Sequence, residues 1–170
     1  MKLTTKVILM MGTLSLAACT NAGKLGGGAG DGAFDPNAAG NFGVIAGSAS
    51  DPASTAYFQE AVGDRVTFEV DQSSLSAVGR ATLDGQATWL LTNADYTAII
   101  EGHADEQGTR EYNLALGARR ASAVQDYLTT VGINLNRMRT VSYGKERPVE
   151  ICSIEDCYAR NRRSVTVLTE

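Results

Sequence analysis

The chain has 170 residues, 44% of them hydrophobic, enough for one compact domain with a real core plus a disposable tail but a squeeze for two domains. A formal charge of -4 offers no basic stripe of the kind nucleic acid requires, so DNA and RNA are excluded as partners. One histidine and three cysteines, with no second cysteine pair beside a histidine, cannot complete a tetrahedral metal set.

Lys2 and Lys6 accompany the apolar run VILMMGTLSLAA, which is too short to remain in a bilayer as an ordinary transmembrane helix. Residues 1–18 therefore read as an export signal. Ala17 and Ala18 are small enough for a signal peptidase, and Cys19 follows at once. The stretch LAAC, Leu16 to Cys19, looks like the lipobox of bacterial lipoproteins. That likeness implies cleavage before Cys19, a diacylglycerol on its sulfur and acylation of the new amine. Each buried CH2 contributes about 0.8 kcal/mol, and two or more acyl chains anchor stably where one is reversible. Thr20 stands where an aspartate retains such proteins on the inner membrane, which implies onward sorting to the outer membrane. Residues 19–54, dominated by Gly and Ala as in GKLGGGAGDGAF, are expected to form a lipid-anchored tether. About 30 flexible residues reach about 30 Å on average and about 100 Å when stretched.

The folded domain is expected over residues 55–170. In RVTFEV, Arg65 to Val70, alternation predicts a strand with Val66, Phe68 and Val70 on one face. Leu83, Ala87, Leu90 and Leu91 follow helical spacing and predict a helix over about residues 75–92. Gly79 and Gly85 each weaken it by about 1 kcal/mol relative to alanine. YTAIIEG, Tyr96 to Gly102, suits a short buried strand. A second helix follows, with Leu114, Ala121, Val124, Leu128 and Val131 on one stripe and Gly132 placed to stop it. Asn113 and Arg120, seven residues apart, share a face beside that stripe and not within it. RTVSYG, Arg139 to Gly144, and RSVTVLT, Arg163 to Thr169, supply two more strands. Strands alternating with two helices predict an α/β sandwich, a βαβαβ-type mixed sheet covered by helices on one face. Cys152 and Cys157 in CSIEDC, in an oxidising compartment, are spaced for a local disulfide contributing about 2 kcal/mol, with two free thiols as the alternative.

Charge concentrates in GHADEQGTREYNLALGARRA, Gly102 to Ala121. A catalytic reading would make His103 a base and Asp105 its orienter, but no serine sits in a nucleophile elbow. No enzyme activity, cofactor or metal is therefore expected. A binding reading uses more of the residues. Asp105 offers two acceptor oxygens to an ammonium, and Arg120 a planar fork to a carboxylate, which together match an amino-acid head group. The same two residues could instead make a salt bridge tying loop to helix. Arg119 reads as a solvated helix residue and Glu111 as a charge that suits the helix start.

That motif, with VSYGKERP, Val141 to Pro148, and NRRSVTV, Asn161 to Val167, resembles the peptidoglycan-associated lipoproteins of the OmpA-like domain family, over roughly Val66 to Val167. The resemblance implies noncovalent binding to the meso-diaminopimelate residue of a peptidoglycan stem peptide. Asp105 falls on the family's ammonium-binding aspartate and Arg120 on its carboxylate-binding arginine. Phe68 and Glu69 match the loop lining the pocket, while Thr109, Asn113 and Leu116 match its helix-side wall. Arg162 and Arg163 match the NRR segment, where ligand contact and a structural role are both open. The family also implies a TolB-like periplasmic propeller as partner on an overlapping surface, and a place on the periplasmic face of the outer membrane. An envelope scaffold without wall contact is the alternative. Glu69 departs from the usual aspartate, Gln107 from an arginine, and the CSIEDC loop is absent from many relatives and lies at the rim.

Overall fold

The computed structural model describes residues 44–169. The export signal, Cys19 and the tether up to residue 43 lie outside the described residues. In chain order there are α1 (Thr55–Tyr57), continued by a π-helical turn at Phe58–Gly63, β1 (Arg65–Thr67), α2 (Ala77–Thr92), β2 (Thr97–His103) and α3 (Arg110–Thr130). A short 3-10 turn at Leu135–Arg137 leads to β3 (Met138–Gly144), α4 (Glu155–Asn161) and β4 (Arg163–Thr169). The strands form one mixed sheet in the order β1-β4-β2-β3, with β2 and β3 parallel and the other neighbours antiparallel.

Helix starts are set by hydroxyl caps. Ser76 accepts from the amide of Gly79 at 3.0 Å to open α2, and Thr109 accepts from that of Tyr112 at 3.2 Å to open α3. Both helices then bury apolar side chains in one cluster with the sheet: Leu83, Ala87 and Leu90 from α2, Ala121, Val124 and Leu128 from α3, against Val66, Ala98 and Ile100. Because side chains alternate along a strand, Ala98, Ile100 and Gly102 share the helix-covered face, and Ile99, Glu101 and His103 point the other way. This is the α/β sandwich that the alternation of strands and helices predicted.

Gly102 fixes how deeply α3 seats. A Cβ there would lie 1.8 Å from the carbonyl oxygen of Gly117, and one at Gly117 would lie 2.5 Å from Ser142 Oγ. Only bare backbone lets strand and helix come so close. That contact sets the rotation of α3, so Asn113, Gly117, Arg120 and Val124 face inward. It also corrects two expectations. Leu114 is turned out, 49% exposed, whereas Asn113 and Arg120 sit inside at 1% and 0%. β1 is shorter than predicted as well. It ends at Thr67; Val70 is 54% exposed, and Asp71, with φ at 56°, turns the chain through the left-handed region.

Residues 45–54, read as tether from their composition, are hydrogen-bonded among themselves and to the domain. Trp89 Nε1 donates to the carbonyl of Pro52 at 2.7 Å, and buried Ser54 caps α1 by accepting from the amide of Tyr57 at 3.0 Å. Packed structure thus begins ahead of Thr55. Cys152 and Cys157 are joined in a disulfide, with Cα atoms 6.0 Å apart.

Two glycine substitutions should move stability in opposite directions in urea denaturation. Gly102→Ala is expected to cost about 3 kcal/mol or more, because the obstacle is backbone on both sides. Gly85→Ala, where the new Cβ would meet only Val62 Cγ1 at 3.5 Å inside α2, should stabilise by about 0.5–1 kcal/mol.

Candidate functional site

The inward rotation of α3 delivers Arg120 to a fully buried position beneath residues 68–72, the strap between β1 and α2. Its Nε donates to the carbonyl of Gln72 at 2.8 Å, Nη1 to that of His103 at 2.8 Å and Nη2 to that of Glu69 at 3.2 Å. The Phe68 ring stacks against the guanidinium, 5.1 Å from its carbon. Three of the five N–H groups are therefore committed to backbone carbonyls. Burial pushes the Arg120 pKa down to about 10, the nearby charge of Asp105 opposes that shift, Arg162 adds to it, and the group stays protonated at neutral pH. The far end of the strap is fastened to α3, where the Tyr112 hydroxyl donates to the Asp71 carboxylate.

Asp105 stands just past β2 and opens onto a cavity of about 250 Å³, whose other walls include Asp71, Gln107, Tyr112, Asn113 and Leu116. One of its oxygens accepts from the amide of Gln107 at 3.2 Å, the other from Arg162 Nη1 at 3.2 Å. Asn113 Nδ2 donates to the Gln107 carbonyl at 2.7 Å and so ties the loop to α3. Arg162 is 4% exposed; its Nε donates to the carbonyl of Phe68 at 3.2 Å and its Nη2 to Glu155. Burial disfavours its charge, but the bonds to Glu155 and Asp105 prevail and hold its pKa above the ordinary arginine value. A second cavity, of about 430 Å³, is lined by Phe68, Glu69, Gln72, Ser74, Arg160 and Arg162.

Sequence reasoning expected one pocket, and the structure distributes its residues around the strap. Asp105, Asn113 and Leu116 share the smaller cavity. Arg120, expected to face a solute, is instead sealed, because the strap carbonyls and the Phe68 ring occupy the approach to it. Phe68 lies buried over Arg120, the exposed side chain of Glu69 borders the larger cavity, and Thr109 spends its hydroxyl on the helix cap. The NRR segment divides: Arg162 pairs with Asp105, while Arg163 donates to the carbonyls of Asn161 at 3.4 Å and Arg147 at 3.2 Å. Four participants were missed: Asp71, Tyr112, Glu155 and Asn161. Tyr112 and Arg120 are eight apart on one helix, and Glu155 and Arg162 seven apart, a spacing that carries meaning only once α4 is recognised.

The model of the OmpA family matches residues 67–162. A protein named peptidoglycan-associated lipoprotein from Rhizobium meliloti (strain 1021) is 50% identical over 162 residues, covering 95% of this chain and 86% of that protein. One of the same name from Pseudomonas aeruginosa is 39% identical over 156 residues, covering 88% of this chain and 87% of that protein. Among solved structures, the peptidoglycan-associated lipoprotein from Burkholderia pseudomallei superposes with a TM-score of 0.63 at 37% identity, over 70% of this chain and 97% of that one.

His103 lies beside the site on the other face of β2, 2% exposed, and neither ring nitrogen has a hydrogen-bond partner among the described residues. Its Nε2 is 3.5 Å from the Glu101 carboxylate, and its ring centroid is 5.6 Å from that of Tyr143. Burial first, then the charges of Arg163 and Arg147, push its pKa down from 6.5 to about 4. A depressed histidine binds a proton in the unfolded chain before the folded one does. Stability should therefore fall as pH drops from about 6.5 towards about 4 and lose nothing further from this group below that. In denaturation across that window, His103→Phe should flatten the slope, by an amount on the order of 3 kcal/mol over the whole range.

Proposed function

The chain belongs to the OmpA family, with the peptidoglycan-associated lipoproteins as its relatives, and from that premise we propose that it binds peptidoglycan noncovalently through the amino-acid end of meso-diaminopimelate in a stem peptide. The observation that carries the reading is the Asp105 carboxylate opening onto a cavity, with the buried Arg120 guanidinium held directly beneath the strap carbonyls of Glu69 and Gln72. A ligand ammonium takes the Asp105 side. Its carboxylate takes Arg120, supplying two charged oxygens in place of the neutral carbonyls of Glu69 and Gln72, a stronger pairing for a guanidinium.

Access requires the strap to lift, and the strap is suited to it. It is anchored at Phe68, which is buried in the core and donates its amide to the carbonyl of Arg162, and beyond that residue it has no ladder pairing and rests on side-chain contacts at Arg120 and Tyr112. Closing two opposite charges into one site rejects analogues lacking either, since the unmatched charge would be left buried. The proposed setting is an export signal over residues 1–18, lipid at Cys19, and a tether that holds the domain over the cell wall from the periplasmic face of the outer membrane. A TolB-like propeller is the proposed second partner, in competition with the wall. The role is binding, not catalysis.

Co-sedimentation with purified peptidoglycan tests the reading. Asp105→Asn should weaken pelleting by about 100-fold while thermal unfolding still shows a cooperative domain. Tyr112→Phe releases Asp71 and should strengthen pelleting about threefold, because the cover opens at lower cost. Arg120→Ala is a poor probe: it leaves three carbonyls without their partner, the buried one of His103 among them, and should destabilise the fold by about 3 kcal/mol or more. Unchanged pelleting of Asp105→Asn rejects the site, and failure of the unaltered chain to pellet with the wall favours a scaffold role instead.

A further inference from the structure

Asp105 meets any incoming ammonium as a carboxylate that already has a cation. Arg162 Nη1 lies 3.2 Å from its Oδ2, and a paired carboxylate attracts a third charge more weakly than a free one does. What changes the balance is Glu155. It lies inside the Cys152–Cys157 loop and opens α4, and its carboxylate accepts from Nη2 of the same guanidinium. Arg162 is 4% exposed in its side chain and Glu155 61%, so the partner that can be altered without disturbing the core is Glu155.

Two features keep this carboxylate in place. The disulfide closes the loop at the start of α4. At the helix end, buried Asn161 accepts from the amides of Val149 at 2.8 Å and Glu150 at 3.1 Å. Its amide nitrogen donates to the Glu106 carboxylate at 2.6 Å, one residue from Asp105. The loop bearing Glu155 and the loop bearing Asp105 are thus braced against each other.

We propose that Glu155 is a specificity-determining positioning residue: by sharing the charge of Arg162 it leaves the Asp105–Arg162–Glu155 group with a net charge of about -1, and so lets Asp105 select a ligand that carries an ammonium. It need not touch the ligand. The inference rests on the proposed stem-peptide ligand and adds to it a residue on a loop for which composition suggested only a rim. It also assigns the disulfide a purpose, that of presenting this charge.

The test compares the full chain with Glu155→Gln and Glu155→Asp. Each is titrated with a soluble L-Ala–D-Glu–meso-diaminopimelate tripeptide and with the same peptide acetylated on the terminal amine of its diaminopimelate. Glu155→Gln should reduce the preference for the free amine about fivefold at low ionic strength and less at high ionic strength, with unfolding temperature and affinity for the acetylated peptide little changed. Glu155→Asp, which keeps the charge, should retain most of the preference. An undiminished preference in Glu155→Gln, or an equal loss in Glu155→Asp, overturns the charge-sharing role while leaving the ligand assignment intact. No preference for the free amine in the unaltered chain overturns the ligand assignment itself.

Discussion

A guanidinium buried without solvent is the constraint around which this domain is arranged. Removing such a charge from water costs several kcal/mol unless donors and acceptors are matched, and Arg120 is matched by three carbonyls from two places: Glu69 and Gln72 on the strap and His103 at the end of β2. The residue therefore knits the sheet, α3 and the β1–α2 connection together. Its partners are neutral, however, and two of the three belong to a segment that has no ladder pairing past Phe68. A group whose three nitrogens each have a neutral partner yet could be better satisfied by an anion is a switchable element, and on the proposed function the anion is the ligand's carboxylate.

The depth of that guanidinium follows from the glycines below it. Gly102 and Gly117 let α3 descend onto β2 until backbone meets backbone, and the same contact turns Arg120 and Asn113 inward and Leu114 outward. One close approach thus decides both the packing of the core and the placement of the charged groups. On the other side of Asp105, Arg162 and Glu155 form a second polar chain that ends on the disulfide loop. The carboxylate at the centre is held between the sheet and a disulfide-closed loop.

Much of this was legible in the sequence. The short apolar run YTAIIEG, the segment RSVTVLT and the 3.6-residue recurrence of Ala121, Val124 and Leu128 gave strands and helices close to those observed, because apolar spacing is imposed by the core itself. The charges in Gly102 to Ala121 pointed to Asp105 and Arg120. What composition could not convey was depth. An arginine adjacent to an apolar stripe looks solvated, and nothing in a linear pattern says that two glycines fifteen residues apart meet and rotate it inward. The strap was likewise hidden, since Val70 continues the strand alternation and only the left-handed turn at Asp71 ends it. In CSIEDC the cysteines drew attention to loop closure, while the meaningful side chain was the glutamate between them.

A crystal structure of the domain bound to a meso-diaminopimelate stem-peptide fragment measures the central claim most directly. The expected result places the ligand's ammonium about 3 Å from the Asp105 carboxylate and its carboxylate on the Arg120 guanidinium, with residues 69–72 displaced from the positions in which the carbonyls of Glu69 and Gln72 now cap it. Contradiction would come from a bound peptide seated elsewhere while Arg120 stays capped by the carbonyls of Glu69 and Gln72.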